Sequence, residues 1–157
     1  MNIASLAPAG SLWLGASDSF TLRTFVTSPG YLAGPTRICL IGRRAHDLFL
    51  DKPEKDVSSR DVKVWKSFGT VFDPEAIASF GGRSEISLAH YIGSLMLLPT
   101  GDRGVPFIAP VEVIGYVRDE LNVLWALRAG WDAPVWNLYA FAPESERGWR
   151  AGRLFLS

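Results

Sequence analysis

The chain has few of the residues that build disulfides and metal centres. It contains one cysteine, Cys39, and two histidines, His46 and His90, among 157 residues. A single cysteine excludes an intrachain disulfide and any site that needs several thiolates. Two histidines leave little room for a histidine-rich metal site, so we expect no metal. Cys39 stands within an apolar run, and we predict that it is buried and unreactive.

Excess charge and long hydrophobic runs are also missing. Sixteen basic residues balance sixteen acidic ones, so the formal net charge is zero. Non-specific binding to nucleic acid requires several phosphates to be neutralised at once, and we therefore expect no nucleic-acid partner. No stretch approaches the roughly 18–20 apolar residues that span a bilayer, and the first residues lack the basic start of a secretory signal. We expect a cytoplasmic protein without a membrane partner.

The sequence motifs of catalysis are absent as well. There is no G-x-S-x-G nucleophile motif and no phosphate loop with its lysine, so we expect no cofactor. Glu85 and His90 are five positions apart, a spacing that puts two side chains on different faces of a helix. These absences favour a protein that is not an enzyme.

The first half of the chain has the pattern of short strands. Residues 19–28 alternate apolar and polar types, which predicts a strand. Residues 36–42 form a continuous apolar run, which predicts a central strand buried on both faces. We expect residues 1–10 to be a loose N-terminal arm, and the polar residues 51–61 to be a mobile surface loop.

The pattern changes to helix near the middle. Asp73, followed by Pro74 and Glu75, predicts a helix start with Asp73 as its N-cap. A second helix should follow, with its core stripe at helical spacing. This stripe consists of Leu88, Ile92 and Leu95. Residues 73–98 therefore predict a helical hairpin, after which strands resume and continue to the C-terminus.

Together these segments predict an α+β fold in a single domain, residues 1–157. We expect a mostly antiparallel sheet or a flattened barrel, interrupted by the helical hairpin.

Tryptophan and arginine are the abundant residue types. There are six tryptophans, and twelve arginines against four lysines. Arginine preferred over lysine, together with abundant Ala and Gly, suggests a GC-rich genome, so we expect a bacterial or phage source. Trp and Arg often carry the binding energy of protein interfaces. The candidate binding residues are therefore the C-terminal Trp149, Arg147 and Arg150, and the charged turn of Arg43, Arg44 and His46.

Three functions remain open. The first is a small cytosolic module that binds a protein partner, such as an adaptor, inhibitor or immunity-type protein. The second is a ligand-binding or enzymatic β-barrel with a pocket lined by Arg43, His46, Trp125 and Tyr139. The third is self-association as a phage structural subunit.

Overall fold

Short helices interrupt a long series of strands. The structure, a computed structural model, describes residues 5–101, 104–105, 107, 111–143 and 148–157. Its helices are α1 (Leu22–Val26), α2 (Pro29–Ala33), α3 (Arg43–Phe49), α4 (Asp73–Ser79) and α5 (Leu88–Leu97). Its strands are β1 (Leu6–Leu14), β2 (Ser17–Phe20), β3 (Arg37–Ile41), β4 (Glu54–Val57), β5 (Arg60–Ser67), β6 (Val71–Phe72), β7 (Glu112–Arg118), β8 (Leu124–Asp132), β9 (Val135–Phe141), β10 (Gly148–Trp149) and β11 (Leu154–Leu156).

Seven of the strands form one mixed sheet, in the order β1-β5-β11-β7-β8-β9-β3. Its neighbours are antiparallel except for β11 with β7 and β9 with β3, which run parallel. The α+β prediction is confirmed, but the sheet is open rather than a closed barrel, because β1 and β3 are its two edges.

Alternate residues of the central strand β7 enter two separate cores. Val113 and Val117 pack into the larger core, on the face that α5 covers. Ile114 and Tyr116 point the other way, into a smaller core that contains Ala76 of α4. This alternation follows from the two-residue period of a strand. The two predicted helices exist, but they cover opposite faces of the sheet, so the expectation of a hairpin is wrong.

The chain crosses between the two faces where β11 stops. Leu156, the last residue of β11, is paired with Gly115 of β7. The next β7 carbonyl, that of Tyr116, is therefore free to accept a hydrogen bond from the Ile86 backbone N–H at 2.9 Å. The link between α4 and α5 passes beside β7 at this position, just beyond the end of β11. There it supplies the donor that the buried Tyr116 carbonyl requires.

Asp73 is buried and does not cap helix α4. Phe72 occupies the N-cap position, and the Glu75 side chain accepts from its backbone N–H at 3.2 Å. The Asp73 carboxylate instead accepts hydrogen bonds from the Tyr116 hydroxyl and the Trp149 indole N–H, both at 2.6 Å. Burial, and then the Asp73 carboxylate, raises the pKa of Tyr116 well above its usual value. Tyr116 therefore stays a donor, and Asp73 links α4 to β7 and β10.

The predictions for the first third of the chain are largely wrong. Residues 6–10 belong to β1, which pairs with β5, so they are not a loose arm. Within the expected surface loop 51–61, β4 pairs with β2. The strand predicted for residues 19–28 is divided between β2 and α1, because the Thr21 side chain caps that helix by accepting from the Thr24 backbone N–H.

Strand β3 is an edge strand and not a central one. Its second side has no partner strand in the described sheet. Its register with β9 is irregular between Ile38 and Leu40, at Cys39, and Cys39 and Leu40 are both exposed. The prediction of a buried Cys39 is therefore wrong, because a strand at a sheet edge has no neighbour to cover it.

We predict that thiol reagents label Cys39 rapidly in the native protein, because its side chain is exposed. Mass spectrometry after brief labelling without denaturant measures this. A Cys39→Ser variant is the control and should remain unlabelled. Labelling that begins only in denaturant would contradict the exposed position.

We predict that Asp73→Ala lowers the free energy of unfolding by about 1–3 kcal/mol, because two buried donors lose their acceptor. Chemical denaturation measures the change. Trp149→Phe keeps an aromatic ring and removes one donor, so it should cost less than Asp73→Ala. A loss within about 0.5 kcal/mol for Asp73→Ala, typical of a neutral surface substitution, would show that the carboxylate is not holding these elements together.

Candidate functional site

A groove of about 750 Å³ opens at one end of the sheet. Strands β3 and β9 run parallel and finish at this end, where the chain passes from β3 through Gly42 into α3. The carboxyl ends of parallel strands are the usual place for ligands on open α/β sheets. The groove is lined by Arg43, Arg44, Asp47, Leu48, Trp125, Ala140 and Phe141.

Gly42 brings α3 close to the sheet. Its backbone N–H donates to the Leu138 carbonyl at 2.8 Å. A Cβ atom at this position would lie 2.8 Å from the Tyr139 ring, closer than real carbon contacts allow. The absence of a side chain therefore lets α3 begin directly against β9, with Arg43 and Arg44 at the groove.

Trp125 is held in place from two sides. Its indole N–H donates to the Asp119 carboxylate at 2.8 Å. The Arg44 guanidinium lies 5.6 Å from the centre of its ring, within the range of a cation–π contact. Half-buried and fixed in this way, Trp125 offers a preorganised aromatic wall.

Asp119 fixes the turn that precedes Trp125. One carboxylate oxygen accepts from the backbone N–H groups of Leu121 and Val123, both at 2.9 Å. Burial acts to raise the pKa of Asp119, but the hydrogen bonds from Trp125, Val123 and Leu121 outweigh it and lower the pKa below its usual value. Asp119 is therefore ionised near neutral pH and ties the turn to the indole.

The groove carries an excess of positive charge. Arg43 has a side chain that is 96% exposed and lies 3.9 Å from the Asp47 carboxylate. Such an exposed, long ion pair contributes little, so the Arg43 guanidinium is available to another anion. Two guanidiniums and one carboxylate line the groove, which leaves a net charge of +1.

Exposed apolar side chains stand in the turn beside Trp125. Leu121 is 84% exposed and Val123 is 47% exposed. Single exposed apolar residues need no explanation, but these two precede a fixed tryptophan in the same hairpin. We call these two residues, with Arg43, Arg44, Trp125 and Phe141, the groove surface.

The predicted pocket is only partly formed. Arg43 and Trp125 do line one groove, together with Arg44. His46 is outside it, half-exposed on α3 with its Nδ1 3.4 Å from Asp47. Tyr139 is also outside the lining, with its ring 5.0 Å from the Arg128 guanidinium. His46 comes two positions after Arg44 and one before Asp47 on α3, spacings at which helix side chains do not face each other.

Trp149, a candidate binding residue from the sequence, is buried and therefore not accessible to a partner. It is 4% exposed, donates to Asp73 and packs edge-on against Phe141 at 6.1 Å. Arg150, next to it, is exposed and lines a separate cavity. Arg147, the third member of that predicted group, lies outside the described residues.

Sequence reasoning did not select Leu121, Val123 or Phe141. The exposure of Leu121 and Val123 depends on how the turn folds around Asp119, which the sequence pattern does not reveal. Phe141 follows the alternation of β9, which predicts its face but not that it borders a groove. Phe141 meets the α3 arginines only in the assembled sheet, whereas Leu121 and Val123 belong to the turn that leads to Trp125.

A second, polar cavity of about 480 Å³ surrounds His90. Its Glu54 carboxylate is already used, because it accepts from the backbone N–H groups of Leu88 and Ala89 at the start of α5 and from Lys52. His90 is 5% exposed, and its Nε2 has no hydrogen-bond partner among the residues that the structure describes. Within the described parts of the chain, no three His, Cys, Asp or Glu side chains come together as metal ligands would.

We predict that His90 makes the protein less stable in mild acid. Burial, and to a smaller extent the charge of Arg60, lowers the pKa of His90 below 6.5. The unfolded chain then takes up a proton before the folded one, so the free energy of unfolding falls as the pH drops below about 6.5. Chemical denaturation between about pH 7.5 and pH 5.5 measures this slope. It should disappear in His90→Gln and persist in His46→Gln, whereas equal slopes in both variants would contradict the prediction.

Comparison with protein-family models, with curated proteins and with solved structures returned no match to this chain. In the described part of the chain, no helix has both the length and the apolar character needed to span a bilayer.

Proposed function

We propose that this protein is a small, non-enzymatic binding module of bacterial or phage origin, acting in the cytoplasm, that holds a partner protein against the groove surface. The observation that carries the proposal is the fixed Trp125, hydrogen-bonded to Asp119 and stacked by Arg44. Tryptophan and arginine are the residues that most often dominate binding energy, and a preorganised side chain loses little entropy when a partner arrives.

The charge of the groove indicates the chemistry of the partner. Arg43 and Arg44 outnumber Asp47, and Arg43 has only a long, exposed ion pair. A carboxylate on the partner would find in Arg43 a planar donor suited to two parallel hydrogen bonds. Trp125 and the exposed Leu121 offer apolar surface beside it. We therefore propose a partner segment that combines an acidic side chain with a large apolar one.

A small anionic ligand is the second candidate occupant of the same groove. Its volume of about 750 Å³ lies within the roughly 300–1,000 Å³ of small-molecule sites. The exposed Leu121 and Val123 favour the protein partner, since they stand in the turn before the groove, where a small ligand would leave them uncovered.

Selection from a displayed library of random peptides tests the proposal. We predict that the wild-type protein enriches peptides with acidic and large apolar residues. The double substitution Arg43→Gln and Arg44→Gln should weaken the affinity for these peptides by roughly tenfold or more, because charge-assisted hydrogen bonds are worth at least about 1.5 kcal/mol. Trp125→Ala should reduce the affinity for the peptide by about 30-fold, the loss expected for a typical hot-spot residue. Fluorescence anisotropy with a selected peptide measures each affinity.

Matched variants separate binding from folding. Trp13→Ala removes a tryptophan that is 61% exposed on β1, at the far edge of the sheet, and Arg23→Gln removes an exposed arginine of α1. Both should bind peptide as the wild type does. The two groove arginines are exposed, so their replacement leaves the fold intact even if Trp125→Ala unfolds the domain. Peptides that bind all variants equally would refute the groove surface as the binding site.

A further inference from the structure

A second group of arginines lies away from the groove, around the carboxylate of Glu112. One Glu112 oxygen accepts a hydrogen bond from Nε of Arg153, just before β11. The other oxygen is 3.7 Å from Nη1 of Arg128 on the neighbouring strand β8. One carboxylate is thus shared between two guanidiniums, and the contact with Arg128 is too long for a hydrogen bond.

This group has more positive charge than its own residues neutralise. Arg150 borders the same cavity as Glu112 and Arg153, and within the described ranges it forms no ion pair. Two arginines and one glutamate line the described part of this cavity, a net charge of +1, and Arg128, which contacts Glu112 from outside the lining, adds a further positive charge nearby. The side chains of Arg128 and Arg153 are 30% and 20% exposed, so water and salt screen them less than they would a free surface charge.

The side chain of Arg128 and the turn that carries Arg150 and Arg153 are both held by further contacts. The Arg128 guanidinium lies 5.0 Å from the Tyr139 ring and 5.2 Å from the Phe141 ring. The turn that carries the other arginines is fixed by Ser67, which is buried. The Ser67 hydroxyl donates to the Arg150 carbonyl at 3.1 Å and accepts from the Arg153 N–H at 3.0 Å. The backbone of the turn and the side chain of Arg153 are therefore held in place before an anion arrives.

The turn also forms one wall of a cavity of about 290 Å³. Gly152 has a φ of +88°, a conformation open to glycine and strained for other residues. Its backbone N–H donates to the Ser67 carbonyl at 2.8 Å, which closes the turn. The volume suits a small oxyanion rather than an extended molecule.

We infer that this cavity binds a phosphoryl group between Arg150 and Arg153. A phosphate monoester carries about −1.5 to −2 charges near neutral pH, opposite in sign to the excess charge of these arginines. Arginine presents its N–H groups in a plane that fits phosphate oxygens. Glu112 positions Arg153 by accepting its Nε–H, and leaves the terminal nitrogens of that side chain for the ligand. The inference does not rest on the proposed partner protein, although Arg128 contacts Phe141 of the groove surface.

Backbone and arginine side-chain NMR spectra during titration with inorganic phosphate test the site. We expect saturable shifts confined to residues 150–153 and to the Arg128 and Arg153 Nε–H groups. Arg150→Gln should lower the affinity for phosphate roughly tenfold, the loss expected when one charge-assisted contact is removed. Arg150 is exposed, so this variant should fold normally. Arg23→Gln, an exposed arginine elsewhere, should leave the affinity unchanged.

Two further ligands define the chemistry. O-phosphoserine represents a phosphorylated side chain, and inorganic phosphate represents the free ion. The ligand that binds with the higher affinity identifies the source of the phosphoryl group. Acetate, titrated at the same ionic strength, should bind more weakly than either. Acetate binding as tightly as phosphate, shifts that never saturate, or an unchanged affinity in Arg150→Gln would each overturn the inference.

Discussion

One carboxylate, that of Asp119, determines the geometry on which the groove surface depends. It accepts two backbone hydrogen bonds in the β7–β8 turn and a third from the Trp125 indole. Its lowered pKa keeps it ionised near neutral pH, and charge-assisted hydrogen bonds are stronger than neutral ones. The same residue thus holds Leu121 outward and Trp125 against Arg44, so that turn, aromatic wall and cation form one rigid unit.

The fold could be predicted where local signals agree with tertiary packing. The strands β7, β8 and β9 are short, largely apolar segments, and they lie in the part of the chain where the sequence predicts that strands resume. Helix α4 begins one residue before the position that Asp73, Pro74 and Glu75 predict. The first third of the chain resisted prediction, because helices of five residues such as α1 have too few turns to show a helical period. Their stability comes from tertiary contacts, such as that of the buried Leu22.

The candidate site could be predicted only in part, because it too depends on contacts between distant parts of the chain. Arg43 and Trp125 came together because a strand end and a hairpin meet at one edge of the sheet. Trp149 was misplaced because its partner, Asp73, lies 76 positions earlier in the chain, and no local pattern reveals such a contact. The sequence also did not reveal which strands lie at the edges of the sheet. Cys39 lies in an apolar run, but it is exposed because β3 has a neighbouring strand on only one side.

The measurement that tests the account most directly is a map of hydrogen–deuterium exchange in the protein, with and without a peptide selected for binding. The account predicts that protection increases in α3, in the turn that carries Leu121 and Val123, and at the end of β9 around Phe141. The arginine turn of residues 150–153 and the far strand β1 should exchange as before. Protection centred on either of those regions, with none at the groove surface, would contradict the account.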